Sequence, residues 1–386
     1  MSILTWLKKY STIPILCCLL LAGAGFVWWF NDTLLEDIFT ISCVTLTMVM
    51  GFQMFMGNSG ILSWSYVGFV GIGAFTSAIC SMSPQVKRMQ IPVMYDVLAQ
   101  ISMPFWLALL VGALVAALIA AIVAWPLMRL SDAVGIITQF ALLIVIYVIL
   151  LQWQQVTNGP RTFTLGGVKS TTLWIAALVA TAAIVVAYLF KESSLGLRLR
   201  ASRDDRFAAS ASGINVVAVR YFSYIASAAV GGLAGGLWSH YMLSITAKSF
   251  YLIEVFTILT MLVIGGTMSV SGAFFGWLGV TVARQGLRQG ELALTQQGFD
   301  AYGITEIVLG ILMILFLVWR PTGVSKGREL TFDTIADLAT RITSRSTRSN
   351  DKKGKPWSRS KQPKPSTPSP PTSPQPPVSS KASSST

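Results

Sequence analysis

The sequence is poor in charge, in histidine and in paired cysteine. Asp, Glu, Lys and Arg make up 12% of its 386 residues, where a soluble domain carries about 25%. So little charge beside 53% hydrophobic residues excludes an ordinary water-soluble fold, which could not hide that much apolar surface. A bilayer can take it. The single histidine, His240, excludes a His-rich metal site. The four cysteines, Cys17, Cys18, Cys43 and Cys80, sit in apolar stretches without a CxxC pair. They read as packing residues rather than as a disulfide or metal set. No P-loop signature occurs, so this chain does not bind ATP by that route.

The net charge is +13, and most of it lies at one end. Residues 320–386 hold thirteen Lys/Arg against four Asp/Glu, and the preceding 319 residues hold 16 against 12. A basic tail of this kind fits an anionic membrane surface better than nucleic acid, which would want a basic folded face. From about residue 343 the chain is Ser, Pro, Lys and Arg, with nine prolines between Pro356 and Pro377. Such a segment cannot build a core and is expected to be disordered. It is either a solvated extension or a contact for anionic lipid or a cytoplasmic partner. The expected division is a transmembrane domain over 1–330 and a basic Ser/Pro-rich cytoplasmic tail over 331–386.

A membrane span needs about 20 apolar residues. Candidates are 12–30, 37–56, 60–82, 104–125, 133–152, 171–190, 218–243 and 302–319, with two shorter runs at 251–266 and 268–284. The fold class is therefore all-α, a polytopic transmembrane helical bundle of about ten spans. Whether the two short runs cross twice or form a re-entrant pair stays open. Residues 1–30 could also pass for a signal peptide, but the apolar run through Phe30 is long for one, which favours an uncleaved first span. Loop 191–217 carries Lys191, Arg198, Arg200, Arg203 and Arg206, the N-terminus carries Lys8 and Lys9, and the tail is basic. By the bias of Lys and Arg toward the cytoplasm, all three face inward, and the even span counts between them agree.

Glycine breaks the apolar pattern at one place in each half. The first is Gly57-Asn58-Ser59-Gly60, followed by Gly68, Gly71 and Gly73; the second is Gly265-Gly266, followed by Gly272, Gly276 and Gly279. Broken helices at matching positions point to a translocation path, because freed backbone groups must face protein or water. Close packing through small residues is the alternative. Packing is the better reading for Gly231/Gly235 and Gly232/Gly236. In loop 191–217, Ser202 and Asp205 match a capping box, placing Asp204 and Asp205 in the first turn of a short helix that Gly213 stops. That helix is a solvated connector or a docking surface for a cytoplasmic motor. Glu254 and Glu306 lie near the starts of apolar runs, where helix dipoles and interfacial water account for them. Asp132 is read as an interfacial residue beside Arg129, and His240 as a satisfied interfacial residue near the outer end of its span.

Together these residues resemble the LivM-like permeases of branched-chain amino acid ABC importers, from about residue 46 to 330. The pieces are GNSGILSWSYVGFVGIGAF (57–75), TNGPRTFTLGG (157–167), LGLRLRASRDDRFAASASGINV (195–216), SAAVGGLAGGLWSHY (227–241), MLVIGGTMSVSGAFFG (261–276) and RPTGV (320–324). Ser210 stands where the family usually has Glu, and Arg206 where it has an acid. The resemblance implies an ABC importer permease fold in the bacterial inner membrane with no cofactor. It implies a second permease subunit, cytoplasmic ATP-binding subunits and an extracytoplasmic solute-binding protein. Loop 191–217 would receive the ATPase's motion through Arg200, Arg203, Asp204, Asp205, Gly213 and Asn215. The path would run near Asn58, Ser59, Gly60, Asn158, Gly265 and Gly266. Alternatives are a urea or amide permease, which Ile137-Thr138-Gln139 faintly resembles, a proton-coupled transporter using Glu254 or Glu306, and a membrane enzyme, for which no polar cluster is apparent.

Overall fold

The computed structural model describes residues 12–167, 169–296, 303–320, 323–325 and 329. The expected tail over 331–386, with Lys8 and Lys9, lies outside the described residues. Helices α1 (Thr12–Phe30) and α2 (Thr33–Phe52) open the chain, and α2 runs on through a π-turn at Gln53–Gly57. Then come α3 (Tyr66–Ser81), two short helices α4 (Pro84–Gln90) and α5 (Asp96–Gln100), α6 (Phe105–Leu127), α7 (Asp132–Gln152) and a single turn α8 (Gln154–Thr157). The second half holds α9 (Leu173–Glu192), α10 (Ser194–Asp204), α11 (Arg206–Ala211), α12 (Val216–Met242), α13 (Leu252–Gly265), α14 (Val270–Gln296) and α15 (Ile304–Trp319). Seven described helices are long and apolar enough to cross a membrane, and Tyr66–Ser81 and Ile304–Phe316 are shorter apolar helices. The expected run 60–82 is helical only from Tyr66, because Gly60 turns the chain with φ +73°. The short runs at 251–266 and 268–284 are α13 and α14, packed against each other as a hairpin.

Small side chains dominate the inner faces of two helices. On α6 the buried positions include Ala108, Gly112, Ala113, Ala116, Ala120 and Ala124, with Leu109 and Leu127, while Leu110, Leu114, Leu118 and Ile122 are exposed. α9 repeats the pattern, with Ala176, Ala180 and Ala187 inside and Leu178, Val186 and Leu189 outside. Lipid is as apolar as leucine, so helices in it associate through close packing of small residues, not by hiding leucine. The crossing of α3, α6 and α12 takes this furthest. A Cβ on Gly73 would fall 2.2 Å from the Gly232 carbonyl oxygen, and one on Gly235 would fall 2.0 Å from that of Val70. The glycine face at 231–236 is thus a backbone-to-backbone contact, as its spacing predicts.

The two ends of the bundle differ. At one end a two-residue ladder pairs Phe163 with Ile245 and Thr164 with Ser244, and joins the loop after α8 to the loop after α12. Gln90 of α4 braces it by accepting from the Thr164 amide at 3.0 Å. Nearby, the fully buried Lys87 ammonium donates to the carbonyls of Leu98 (3.0 Å) and Ile101. Burial pulls its pKa below the usual lysine range. His240 lies toward this end, with its ring nitrogens near the Gly236 carbonyl (2.7 Å) and the Ser81 hydroxyl (2.8 Å). It is a satisfied histidine, as expected.

Loop 191–217 forms the opposite end. Two helices stand there, where one was expected. The Ser202 hydroxyl donates back to the Leu199 carbonyl at 2.7 Å, so Ser202 caps nothing. Asp205 is the cap instead: its carboxylate accepts from the amides of Phe207 (2.8 Å) and Ala208 (3.0 Å) and starts α11, leaving Asp204 as the last residue of α10. A carboxylate satisfying two orphan donors is the stronger start signal. Gly213 stops α11 in the left-handed region at φ +80°, and Asn215 caps α12 through the Ala218 amide at 3.1 Å. Asp132 does not pair with Arg129, which stacks on Trp125 at 4.4 Å. It accepts from Arg220 at 2.6 Å, with Arg206 at 3.9 Å.

Candidate functional site

The two glycine breaks meet. The first begins in the π-turn Gln53–Gly57, keeps one more helical step through Asn58 and Ser59, and continues as an irregular stretch from Gly60 to Ser65. The second runs from the end of α13, through Gly266 at φ +113°, to the start of α14. A Cβ on Gly57 would lie 2.4 Å from the Thr267 carbonyl oxygen, so the first break admits the second only because position 57 carries no side chain.

Polar groups freed at the first break are only partly satisfied. The Asn58 amide donates to the Met54 carbonyl at 2.9 Å, and the Ser59 hydroxyl accepts from the Ile61 amide at 3.1 Å. Both side chains are buried. The Asn58 Oδ1 and both amide atoms of the buried Gln53 have no partner among the described residues. Buried orphans of this kind are rare in folded proteins and call for a reason. Here they lie where two interrupted helices abut.

Residues from loop 191–217 reach both breaks. Arg203 donates to the Gly57 carbonyl at 2.8 Å, and its side chain fills the space where a Gly60 Cβ would stand, 3.1 Å away. The chain after α15 lies over the second break: Val324 donates to the Ile264 carbonyl (3.0 Å) and Ser325 to that of Gly265 (3.1 Å). A Cβ on Gly323 would fall 2.4 Å from the Gly266 Cα. Beyond them, Glu329 accepts from the amides of Val270 (2.8 Å) and Ser271 (3.0 Å) at the start of α14, and from Lys191. Burial pushes its carboxyl upward, but the Lys191 charge and these hydrogen bonds outweigh it and hold the pKa below the usual range.

Asn58, Ser59, Gly60, Gly265 and Gly266 are therefore brought to one place, with Arg203 beside them. Asn158 is not. It follows α8 in the left-handed region at φ +64° and donates to the Thr162 carbonyl at 3.5 Å. α7 carries Asp132, bonded at the 191–217 end, and Asn158 lies beyond the far end of that helix, about 30 Å away at 1.5 Å per residue. Arg200 braces its own loop, donating to the Lys191 carbonyl at 2.9 Å. Asp204, Asp205, Gly213 and Asn215 all belong to the cap-and-turn framework of that loop.

One buried cluster escaped sequence reasoning. The Ser65 and Tyr224 hydroxyls are 2.6 Å apart, and Ser65 also reaches Gln139 Oε1 at 3.5 Å. The single usable signal was an amide, Gln139, inside an apolar run. Toward the end bearing the small ladder, a cavity of about 380 Å³ opens between α2, α12, α13 and α14. Its wall carries Glu254, Lys248, Arg284 and Arg288 beside apolar Ile38 and Ile41.

A helical bundle with lipid-type packing defines a multi-pass membrane protein, and in this one two interrupted helices meet with unpartnered polar atoms at their junction. The chain belongs to the family described as branched-chain amino acid transport system / permease component, whose model matches residues 34–317. That stretch includes both breaks and loop 191–217. The chain is 24% identical, over 74% of its length and 69% of theirs, to the high-affinity branched-chain amino acid transport system permease proteins LivM of Escherichia coli and Salmonella typhimurium. It is 30% identical to the probable branched-chain amino acid transport permease protein LivH of Methanocaldococcus jannaschii, over 42% of this chain and 50% of that one. No solved structure matches it.

Proposed function

We propose that this chain is the membrane-spanning permease subunit of an ATP-driven importer for branched-chain amino acids. It works with a second permease subunit, cytoplasmic ATP-binding subunits and an extracytoplasmic solute-binding protein, in a bacterial inner membrane. Both termini face the cytoplasm, residues 1–330 form the permease domain and 331–386 a cytoplasmic tail. ATP hydrolysis falls to the partner chains.

The observation that carries this reading is the junction of the two glycine breaks directly under the basic loop 191–217. A ligand moves such a path only by binding its two states unequally. Nucleotide on the partner and loaded binding protein outside supply that inequality, so the path itself needs only a weak site at Asn58, Ser59, Gly60, Gly265 and Gly266. Asn158 belongs to the outer loops on this reading. The charged cavity supports the solute class: Glu254 suits an ammonium, Arg284 and Arg288 suit a carboxylate, and the isoleucines suit a branched apolar side chain.

The test is purification of the tagged chain from its native membrane, followed by uptake in vesicles. An ATPase and a second permease should come with it, and leucine uptake should need ATP and survive a protonophore. A chain that stays alone and stops transporting with the protonophore would overturn the proposal in favour of a proton-coupled carrier.

A further inference from the structure

Loop 191–217 is tied to each of the two breaks by a separate charged contact, one through Arg203 and one through the Lys191–Glu329 pair. We propose that Arg203 and the Lys191–Glu329 pair are positioning residues that transmit movement of α10 to both breaks at once. Arg203 acts on the first break through the Gly57 carbonyl. Lys191 acts on the second through Glu329, whose carboxylate holds the Val270 and Ser271 amides. The proposal rests on the transport reading above and names the contacts by which that site is driven.

Three features make segment 191–203 suited to the task. It is stiff at its elbow: a Cβ on Gly196 would fall 2.2 Å from the Phe190 carbonyl oxygen. Arg200 ties back to the Lys191 carbonyl and lies 3.7 Å from Glu192. The end of α9 and the start of α10 therefore move as one piece. The contacts are sheltered, with the Lys191 and Glu329 side chains 5% and 15% exposed, so water does not screen them as it does a surface pair. Each contact also has a specific receiving geometry. Gly60 leaves the room that Arg203 occupies, and the start of α14 offers orphan amides and a positive dipole end to the Glu329 carboxylate. Glu329 is the common member, since it touches both the loop and the start of α14.

The test uses the complete native complex in vesicles, with ATP hydrolysis and solute uptake measured on the same samples. Glu329→Gln keeps the side-chain shape, Arg203→Gln leaves a shorter neutral polar chain, and each removes the charge-assisted contact. Each should leave hydrolysis within about twofold of the parent while uptake per ATP falls about tenfold, the loss expected from one charge-assisted hydrogen bond. Lys191→Gln should lose coupling as Glu329→Gln does, and the two together should cost no more than Glu329→Gln alone, because both act through the Glu329 carboxylate. The proposal is overturned if uptake and hydrolysis fall together, if uptake per ATP is unchanged, or if Arg203→Gln and Glu329→Gln both fail to co-purify with their partners, since the contacts would then be structural only. A parent complex lacking ATP-dependent uptake would instead sink the transport reading.

Discussion

The hydroxyl oxygens of Ser65 and Tyr224 are 2.6 Å apart, although 159 positions separate them in the chain. Tyr224 packs its ring edge-on to Phe55 and Phe69, and Ser65 precedes α3 directly. The pair thus links the first break to α12 through a hydrogen bond that lipid cannot replace.

Tyr224→Phe keeps the ring contacts and removes the hydroxyl. Ser65 still has Gln139 at 3.5 Å, so the cost should be about 1 kcal/mol. Tyr224→Ala should cost about 3–5 kcal/mol, because the cavity adds to the lost contact. Thermal unfolding in detergent separates the two, and equal losses would show that the ring matters little.

At the helix crossing, Gly73→Ala and Gly235→Ala each place a methyl within 2.2 Å of a carbonyl oxygen. Overpacking of this kind costs about 1–3 kcal/mol or more, and folded yield should collapse. Gly279→Ala meets nothing within 4 Å and should be neutral. Yield after detergent extraction is the readout.

Arg220 is 2% exposed, while its partner Asp132 is 54% exposed. Removing the acid strands a buried guanidinium, so Asp132→Ala should lower stability by about 1–2 kcal/mol after allowance for solvent screening. Adding Arg220→Met should return part of that loss. Additive losses in the double-mutant cycle would contradict the pairing.

The depressed pKa of Glu329 fixes the sign of its pH dependence. A carboxyl that ionises more readily in the folded state contributes stability at neutral pH and above its ordinary value, about 4.3. That contribution is lost as pH falls through the depressed folded value. The melting-temperature gap between the parent and Glu329→Gln should therefore stay constant from neutral to mildly acidic pH and close only in stronger acid. A gap that widened on acidification would reverse the assignment.

Local signals in the sequence read well, and long-range ones did not. The two glycine breaks, the left-handed stop at Gly213 and the packing face at 231–236 follow from residue type and spacing alone. The start of α11 was misplaced by three residues because Ser202 and Asp205 both fit a cap; the buried Ser202 hydroxyl bonds its own helix, and the acid takes the amides. Asn158 sits in a polar motif much like the one at Asn58, and only the length of α7 separates them. The partners of Asp132, Ser65 and Lys191 lie 88, 159 and 138 positions away. No periodicity reports such distances.

The π-turn at Gln53–Gly57 gives α2 slack. A turn of this type holds one surplus residue relative to the α pitch. Passing that residue along the helix would rotate the stretch it crosses by about 100° and advance it by about 1.5 Å, with every rung of the ladder remade as it goes. A rod with such a reserve can screw instead of snapping, and Gln53 and Asn58 would turn to new neighbours as it does.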